Sequence, residues 1–297
     1  MQLIRIMLAM SSSPNSELTI VGNRPEPWDE LCEFMRSHGV TLNHEVTNLS
    51  NPSRKVLAFN APVKDRLSQF KMNNEKYESI ICEGLFSKES WPLLAELLKD
   101  ISHEKFETLG SLLQSSDSTE LVSVTSAKQR HDLKDNMVSF MKKLKVRTTI
   151  SDRCFLVAEE MLMNAIYDAP TDPSSGKSLY NHMSRRDDIF LQAAQTSTFE
   201  YGAQGKIAAV AVTDPFGALT KDTLVDYLES CYSGRAGELN EATGKGGAGR
   251  GLHQIVENSD LTVFQVKRGV KTRVVSYFWQ KENPFGGNPQ LSFTYFD

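Results

Sequence analysis

The sequence predicts an α+β protein in two parts, and three observations carry that expectation. Residues 1–115 alternate short apolar runs with helical patterns, the arrangement of a small α/β layer structure with a largely parallel sheet. Residues 116–282 group long amphipathic helices with neighbouring strands joined by short turns. That grouping reads as a two-layer sandwich, with helices on one face of a mixed sheet. Between the parts, "LLQSSDSTE" (112–120) is polar and Ser-rich, a linker composition. At 297 residues the chain is long enough for one large or two ordinary domains, each with its own core.

Each element has its own local signal. "ELTIVGN" (17–23) reads as a strand, and "PEPWDELCEFMRSHG" as a helix opened by Pro and ended by Gly39. "VTLNHEV", "KVLAFN" and "YESIICE" are strand candidates, while "VKDRLSQFKMNN" and "SWPLLAELLKDI" carry helical spacing. After the linker come a strand, "LVSVTS", and the long helix "AKQRHDLKDNMVSFMKKLKV". A second helix, "SDRCFLVAEEMLMNAIYDA", has Ser151 as its natural N-cap and Asp152 near its positive end. The loop-rich "PTDPSSGKSLYNHMSRRDD" precedes two strands flanking "YGAQG", namely "STFEY" and "KIAAVAVTD". The helix "DTLVDYLESCYS", a Gly-rich stretch, the helix "RGLHQIVENS" and the strands "LTVFQVKR" and "TRVVSYFWQ" complete this part. The tail 283–297, "NPFGGNPQLSFTYFD", is rich in Pro, Gly and aromatics and is expected to pack against a domain or a partner.

Composition narrows the function classes. Hydrophobic residues make up 40% and charged residues 24%, the mix of a soluble globular protein. A net charge of -4 gives no broad attraction to nucleic acid or anionic lipid, so neither is an expected partner. No stretch approaches the ~18 consecutive apolar residues of a membrane span. Cys32, Cys82, Cys154 and Cys231 have no paired metal spacing, and a thiol inside a helix pattern at Cys154 indicates a reducing compartment. The opening "MQLIRIMLAM" is too brief for a secretory leader. A cytoplasmic location is the expectation.

The N-terminal part resembles a response-regulator receiver domain, in degenerate form. A receiver needs acidic residues at strand ends, whereas here the first strand ends in Gly22-Asn23, "KVLAFN" ends in Asn60, and only Glu83 follows "YESIIC". Residues 1–115 therefore read as a non-catalytic sensor or docking domain.

Three stretches of the second part carry chemistry. In "EEMLMNAIYDAP" (159–170), Glu160, Asn164 and Asp168 lie four apart and form a polar stripe on a helix, opposite Phe155, Leu162 and Ile166. "VAVTDPFGAL" puts Asp214 at the end of an apolar strand, before a turn containing Gly217. "GKGGAGRGLHQIV" (244–256) packs five glycines into eight residues directly before a helix, flanked by Lys245 and Arg250. Such a loop lets backbone approach a ligand closely, and the helix start offers free N–H groups to an anion.

In this order the three stretches resemble the Bergerat-fold ATPases, the GHKL superfamily of DNA gyrase, histidine kinases and MutL. The resemblance to this histidine-kinase-like ATPase domain spans about residues 120–280. It implies ATP and Mg²⁺ as cofactors. "EEMLMNA" looks like the family's N box, "DPFGAL" like its first glycine box and "GKGGAGRGL" like its second. By resemblance Glu160 is the general base, Asn164 reaches the metal, and Asp168 lines the ribose or metal region. Asp214 accepts from the adenine amino group, and Gly217 belongs to the first glycine box. Gly247, Gly249 and Gly251, with Lys245 and Arg250, cradle phosphates under a lid at 230–250, and Thr272 supports the adenine pocket. One departure stands out: Phe216 and Ala218 fill the positions where the family's first box has glycines, so Phe216 could restrict the pocket.

"RHDLKD" resembles the phospho-acceptor box of sensor kinases, but His131 lies too close to Asn164 to leave room for a dimerisation helix pair. His131 reads as a surface residue. One strand, one long helix and then the N-box helix is the layout of bacterial anti-sigma serine kinases. The implied partners are a sigma factor, its antagonist or another signalling protein, and a homodimer stays open. Two functions remain: an ATP-dependent serine protein kinase, or a nucleotide-gated binding module with little turnover.

Overall fold

The structure, a computed structural model, describes residues 16–21, 24–45, 54–59, 67, 79–113, 117–172, 174–234 and 250–296. The first apolar runs form β1 (Ser16–Val21), β2 (Val40–Glu45), β3 (Arg54–Phe59) and β4 (Ser79–Cys82). These four are parallel and lie in the order β2-β1-β3-β4. Helix α1 (Trp28–Ser37) follows Pro27 and ends where Gly39 turns to φ +82, as its sequence predicts. Helix α2 (Trp91–His103) buries Leu94, Leu98 and Ile101. The helix expected over "VKDRLSQFKMNN" and the strand ends at Gly22, Asn23 and Asn60 lie outside the described residues, apart from Leu67, which is helical.

The second half contributes β5 (Thr119–Val124), α3 (Gln129–Lys143), α4 (Thr148–Met163), β6 (Ser197–Gln204) and β7 (Ile207–Asp214). It continues with α5 (Lys221–Tyr232), α6 (Arg250–Glu257), β8 (Leu261–Lys267) and β9 (Lys271–Trp279). Strands β5, β6, β7, β9 and β8 pair antiparallel in that order. Helix α4 begins three residues before Ser151: Arg147 occupies the N-cap position, and the amides of Ile150 and Ser151 bond back to its carbonyl. The sequence expectation of a Ser151 cap is therefore corrected. Lys145, at φ 59, turns the chain so sharply out of α3 that the new helix starts at once.

The tail is also more than a tail. Its residues Gln290–Phe296 form β10, inserted between β4 (antiparallel) and β8 (parallel). All strands thereby join one ten-stranded mixed sheet, β2-β1-β3-β4-β10-β8-β9-β7-β6-β5. Leu291, Ser292, Phe293 and Thr294 are buried in succession, as suits a strand covered on both faces. Ser79 donates to Thr294 at 3.2 Å across that junction.

Helices cover both faces of the sheet rather than the one expected. On one face α3, α4 and α6 bury Val210, Val212, Phe199 and Phe278. On the other, α1 and α2 share a core with Ala209, Ala211, Val263, Val275 and Tyr277. The alternation of "IAAVAVTD" thus serves two apolar layers, and α2 meets the C-terminal strands where Gln265 of β8 donates to Asp100 at 2.8 Å. A buried ion pair marks this contact: Arg273 of β9 bonds Glu200 of β6, and Glu200 accepts from the Leu109 amide at 2.7 Å. Helix α4 is fixed at its start by Arg153, which donates to Asp260 at 2.7 Å and to the Asn258 carbonyl at 2.9 Å.

Candidate functional site

The polar stripe of α4 does not end as a regular helix. Asn164–Asp168 form a single π-turn, closed by the Ala169 amide donating to the Asn164 carbonyl at 2.8 Å. Wide turns of this kind gather at functional sites, because the extra residue re-aims side chains at helical spacing. Ile166 and Tyr167 stay buried behind it, while Asn164, Ala165 and Asp168 border a cavity. Leu162 and Ile166 pack in the core as expected, and Phe155, half-buried, packs against the same cluster with Lys134 Nζ 4.1 Å from its ring centroid.

The two adjacent glutamates divide their tasks. Glu159 pairs with Lys134 and Arg130 on α3, whereas Glu160 faces the cavity. Burial raises the Glu160 carboxyl above the usual range, and the neighbouring Glu159 charge adds to the rise. A base that holds its proton more tightly is better suited to accept one near neutral pH.

Asp214 ends β7 opposite Thr272 of β9 in the strand register. It is 8% exposed, and burial pushes its carboxyl up to about 6 in spite of the Phe216 amide donating to it at 2.9 Å. Gly217 follows with φ +61, and a Cβ there would sit 2.1 Å from the Lys267 carbonyl oxygen. Only glycine fits that crossing beneath the β8–β9 turn, where the Gly269 amide donates to the Gly217 carbonyl at 3.2 Å. Gly217 shapes the turn and does not line the cavity; Ala218 does, and Phe216 leaves it open.

At the other side α6 brings Gly251 against the stripe. A Cβ on Gly251 would stand 2.6 Å from Glu160 Oε2 and 3.6 Å from Asn164 Oδ1. The glycine that the sequence assigns to a phosphate cradle thus makes room beside these two side chains. One cavity of about 610 Å³ collects Glu160, Asn164, Asp168, Asp214, Arg250, Gly251 and Thr272. Its floor is apolar, built from Met161, Ala165, Val212, Leu252, Ile255 and Val274. A few polar groups over such a floor describe a small-molecule site. Lys245, Gly247, Gly249 and most of the expected lid lie outside the described residues. His131 is exposed on α3, in line with its reading as a surface residue.

No protein-family model matches the chain, and no curated protein does. The site must therefore be read from its own geometry. Among the described residues no three His, Cys, Asp or Glu side chains gather as a metal-holding group. Asn164 beside Glu160, in space that a side chain on Gly251 would fill, suits a cation that arrives with oxygen ligands of its own.

Several lining residues have no motif to announce them. Arg185 reaches the cavity from the loop after the π-turn and binds Asp168, its Nη2 standing 2.8 Å from each carboxylate oxygen. Tyr227 and Thr223 come from α5, and Ser178 and Asn181 from the irregular segment that sequence reading leaves as a loop. Tyr227 does interrupt the apolar spacing of Leu224, Val225 and Leu228, which is the one signal available for it.

Proposed function

We propose that this cavity binds an adenine nucleotide with Mg²⁺, in a Bergerat-type ATPase unit, and that the chain is an anti-sigma-type serine protein kinase of bacterial signal transduction. The observation that carries this reading is convergence. Three stretches spread over residues 160–251, which resemble the family's boxes one by one, border a single cavity together with Thr272.

Each group has a task that its surroundings suit. Asp214, buried at the end of β7, accepts from the exocyclic amine of adenine, with Thr272 beside it. Asn164 would hold Mg²⁺, which would supply positive charge against the phosphates. The α6 start, with Gly251 and Arg250, lies where the phosphates reach the Glu160 end. In transfer, a serine oxygen of the partner bonds the γ-phosphorus as the bond to the bridging oxygen breaks and ADP leaves. Glu160 takes the serine proton.

A second reading is favoured by one specific observation, the turn after Asp214. With Ala218 lining the cavity at a position where the family's first box has glycine, ATP serves in this reading mainly to change partner affinity, with little turnover. Incubation with γ-labelled ATP, Mg²⁺ and candidate partner proteins separates the two. Label on a partner serine supports the kinase; tight ATP binding with no transfer to any partner supports the nucleotide-gated module. Absence of ATP binding contradicts both.

A further inference from the structure

The charge pattern of the cavity raises a question that the three motifs leave open. Its described walls carry three carboxylates, Glu160, Asp168 and Asp214, facing two cations, Arg185 and Arg250. Of these, Asp168 and Arg185 are committed to each other at 2.8 Å. Arg185 is not a stray loop cation. Its guanidinium lies 4.8 Å from the Tyr167 ring centroid, and the fully buried Tyr167 has its hydroxyl 3.1 Å from the Arg185 carbonyl and 2.7 Å from that of Asp187. The π-turn thus fixes both the main chain of Arg185, through Tyr167, and its head, through Asp168.

Position decides what this arm can touch. Gly251 abuts Glu160 and Asn164, and Asp168 lies further along the same helical path. From Glu160 to Asp168 the path advances on the order of 10 Å, at ~1.5 Å rise per residue. The Arg185–Asp168 pair therefore lies further along the helical path than the glycine, on the side where Tyr227 borders the cavity and feels the Asp168 charge, although the Arg185 charge still reaches Glu160. Arg185 lies over one aromatic ring through its guanidinium, and its Nη1 has no hydrogen-bond partner among the described residues, so an N–H donor is left for a ligand.

We propose that Arg185, positioned by Asp168 and Tyr167, is a specificity-determining residue that binds the nucleoside half of the ligand, its ribose and base, and not the phosphates. This rests on the adenine-nucleotide reading above. It gives Asp168 the task of holding Arg185 and removes it from the metal, and it makes the irregular segment carrying Ser178, Asn181 and Arg185 a wall of the binding site.

The test is calorimetric binding of adenosine and of Mg-ATP to the full chain, as wild type, Arg185→Ala, Arg185→Lys and Asp168→Asn, with thermal melts to confirm folding. Arg185→Ala is expected to weaken adenosine and Mg-ATP by the same factor, about tenfold or more. Arg185→Lys should recover little, because the planar donor fork is lost, and Asp168→Asn should follow Arg185→Ala in direction. Affinities within twofold of wild type overturn the proposal. So does a loss confined to Mg-ATP with adenosine unchanged, which would make Arg185 a phosphate contact. A wild-type protein that binds neither ligand overturns the nucleotide reading itself, a distinct outcome. Should Arg185→Ala fail to fold, the folded Arg185→Lys decides: wild-type adenosine affinity in it overturns the proposal.

Discussion

Gly251→Ala separates stability from function at this site. Gly251 has ordinary helical backbone, so alanine is conformationally permitted and should stabilise α6 by about 0.5 kcal/mol. The new methyl would stand 2.6 Å from Glu160 Oε2, whereas ordinary contact begins at 3.4 Å, so the carboxylate must withdraw by about 0.8 Å. The obstructing atom ends a flexible side chain, so the fold yields there instead of breaking. Displacement of a reacting group by about 1 Å can cost on the order of 10²-fold in rate. The assay pairs urea denaturation with Mg²⁺-dependent ATP affinity and turnover. The unfolding midpoint should be unchanged or higher, while the Mg²⁺-dependent part of affinity and any turnover fall steeply. Full function in a folded Gly251→Ala protein would refute the claim that Glu160 and Asn164 work against this glycine.

Other perturbations follow from the same structure. Glu160→Ala should leave ATP affinity within a few-fold of wild type and stop turnover; undiminished turnover in a steady-state assay would place the base elsewhere. Removing one partner of the buried Glu200–Arg273 pair, as in Glu200→Ala, strands a charge at positions 4% exposed and should cost about 3–5 kcal/mol by urea denaturation. A loss below ~1 kcal/mol would contradict that account of the layer contact. Burial pushes Asp100 up to about 6 from its ordinary 3.8, so the unfolded chain releases that proton first. The contribution of Asp100 to stability is then fully present below about pH 4 and is lost as pH rises to about 6, by on the order of 2–3 kcal/mol. Asp100→Asn should therefore gain stability relative to wild type across pH 4 to 6, and a difference that stays flat through that window would contradict the sign.

The sequence carried the elements better than their assembly. Local periodicity located β6, β7, α4, α5 and α6, because each is a run of residues whose neighbours in the chain decide its period. It could not foresee that "QLSFTYF" inserts between β4 and β8, since that choice depends on the two exposed strand edges and not on the tail itself. The start of α4 was misplaced at Ser151 because a good capping residue three positions further on is no match for the left-handed turn at Lys145. Within the site, Asp214, Asn164 and Gly251 were visible because spacing places them at a strand end, on a helix stripe and at a helix start. Gly217 was visible as a turn residue, and its backbone freedom serves the crossing under the β8–β9 turn. Arg185 was invisible, because an arginine in an irregular segment has no periodicity to betray it; only the fold brings it to Asp168.

The most direct test of the nucleotide reading is calorimetry of Mg-ATP with wild type and Asp214→Asn, alongside a melting curve of each. Replacing the acceptor oxygen at Asp214 with an amide donor should remove measurable binding while the melting temperature holds or rises, since a buried carboxylate disappears. Equal affinity in the two proteins would mean that adenine does not sit at the end of β7, and the proposed function would fall with it.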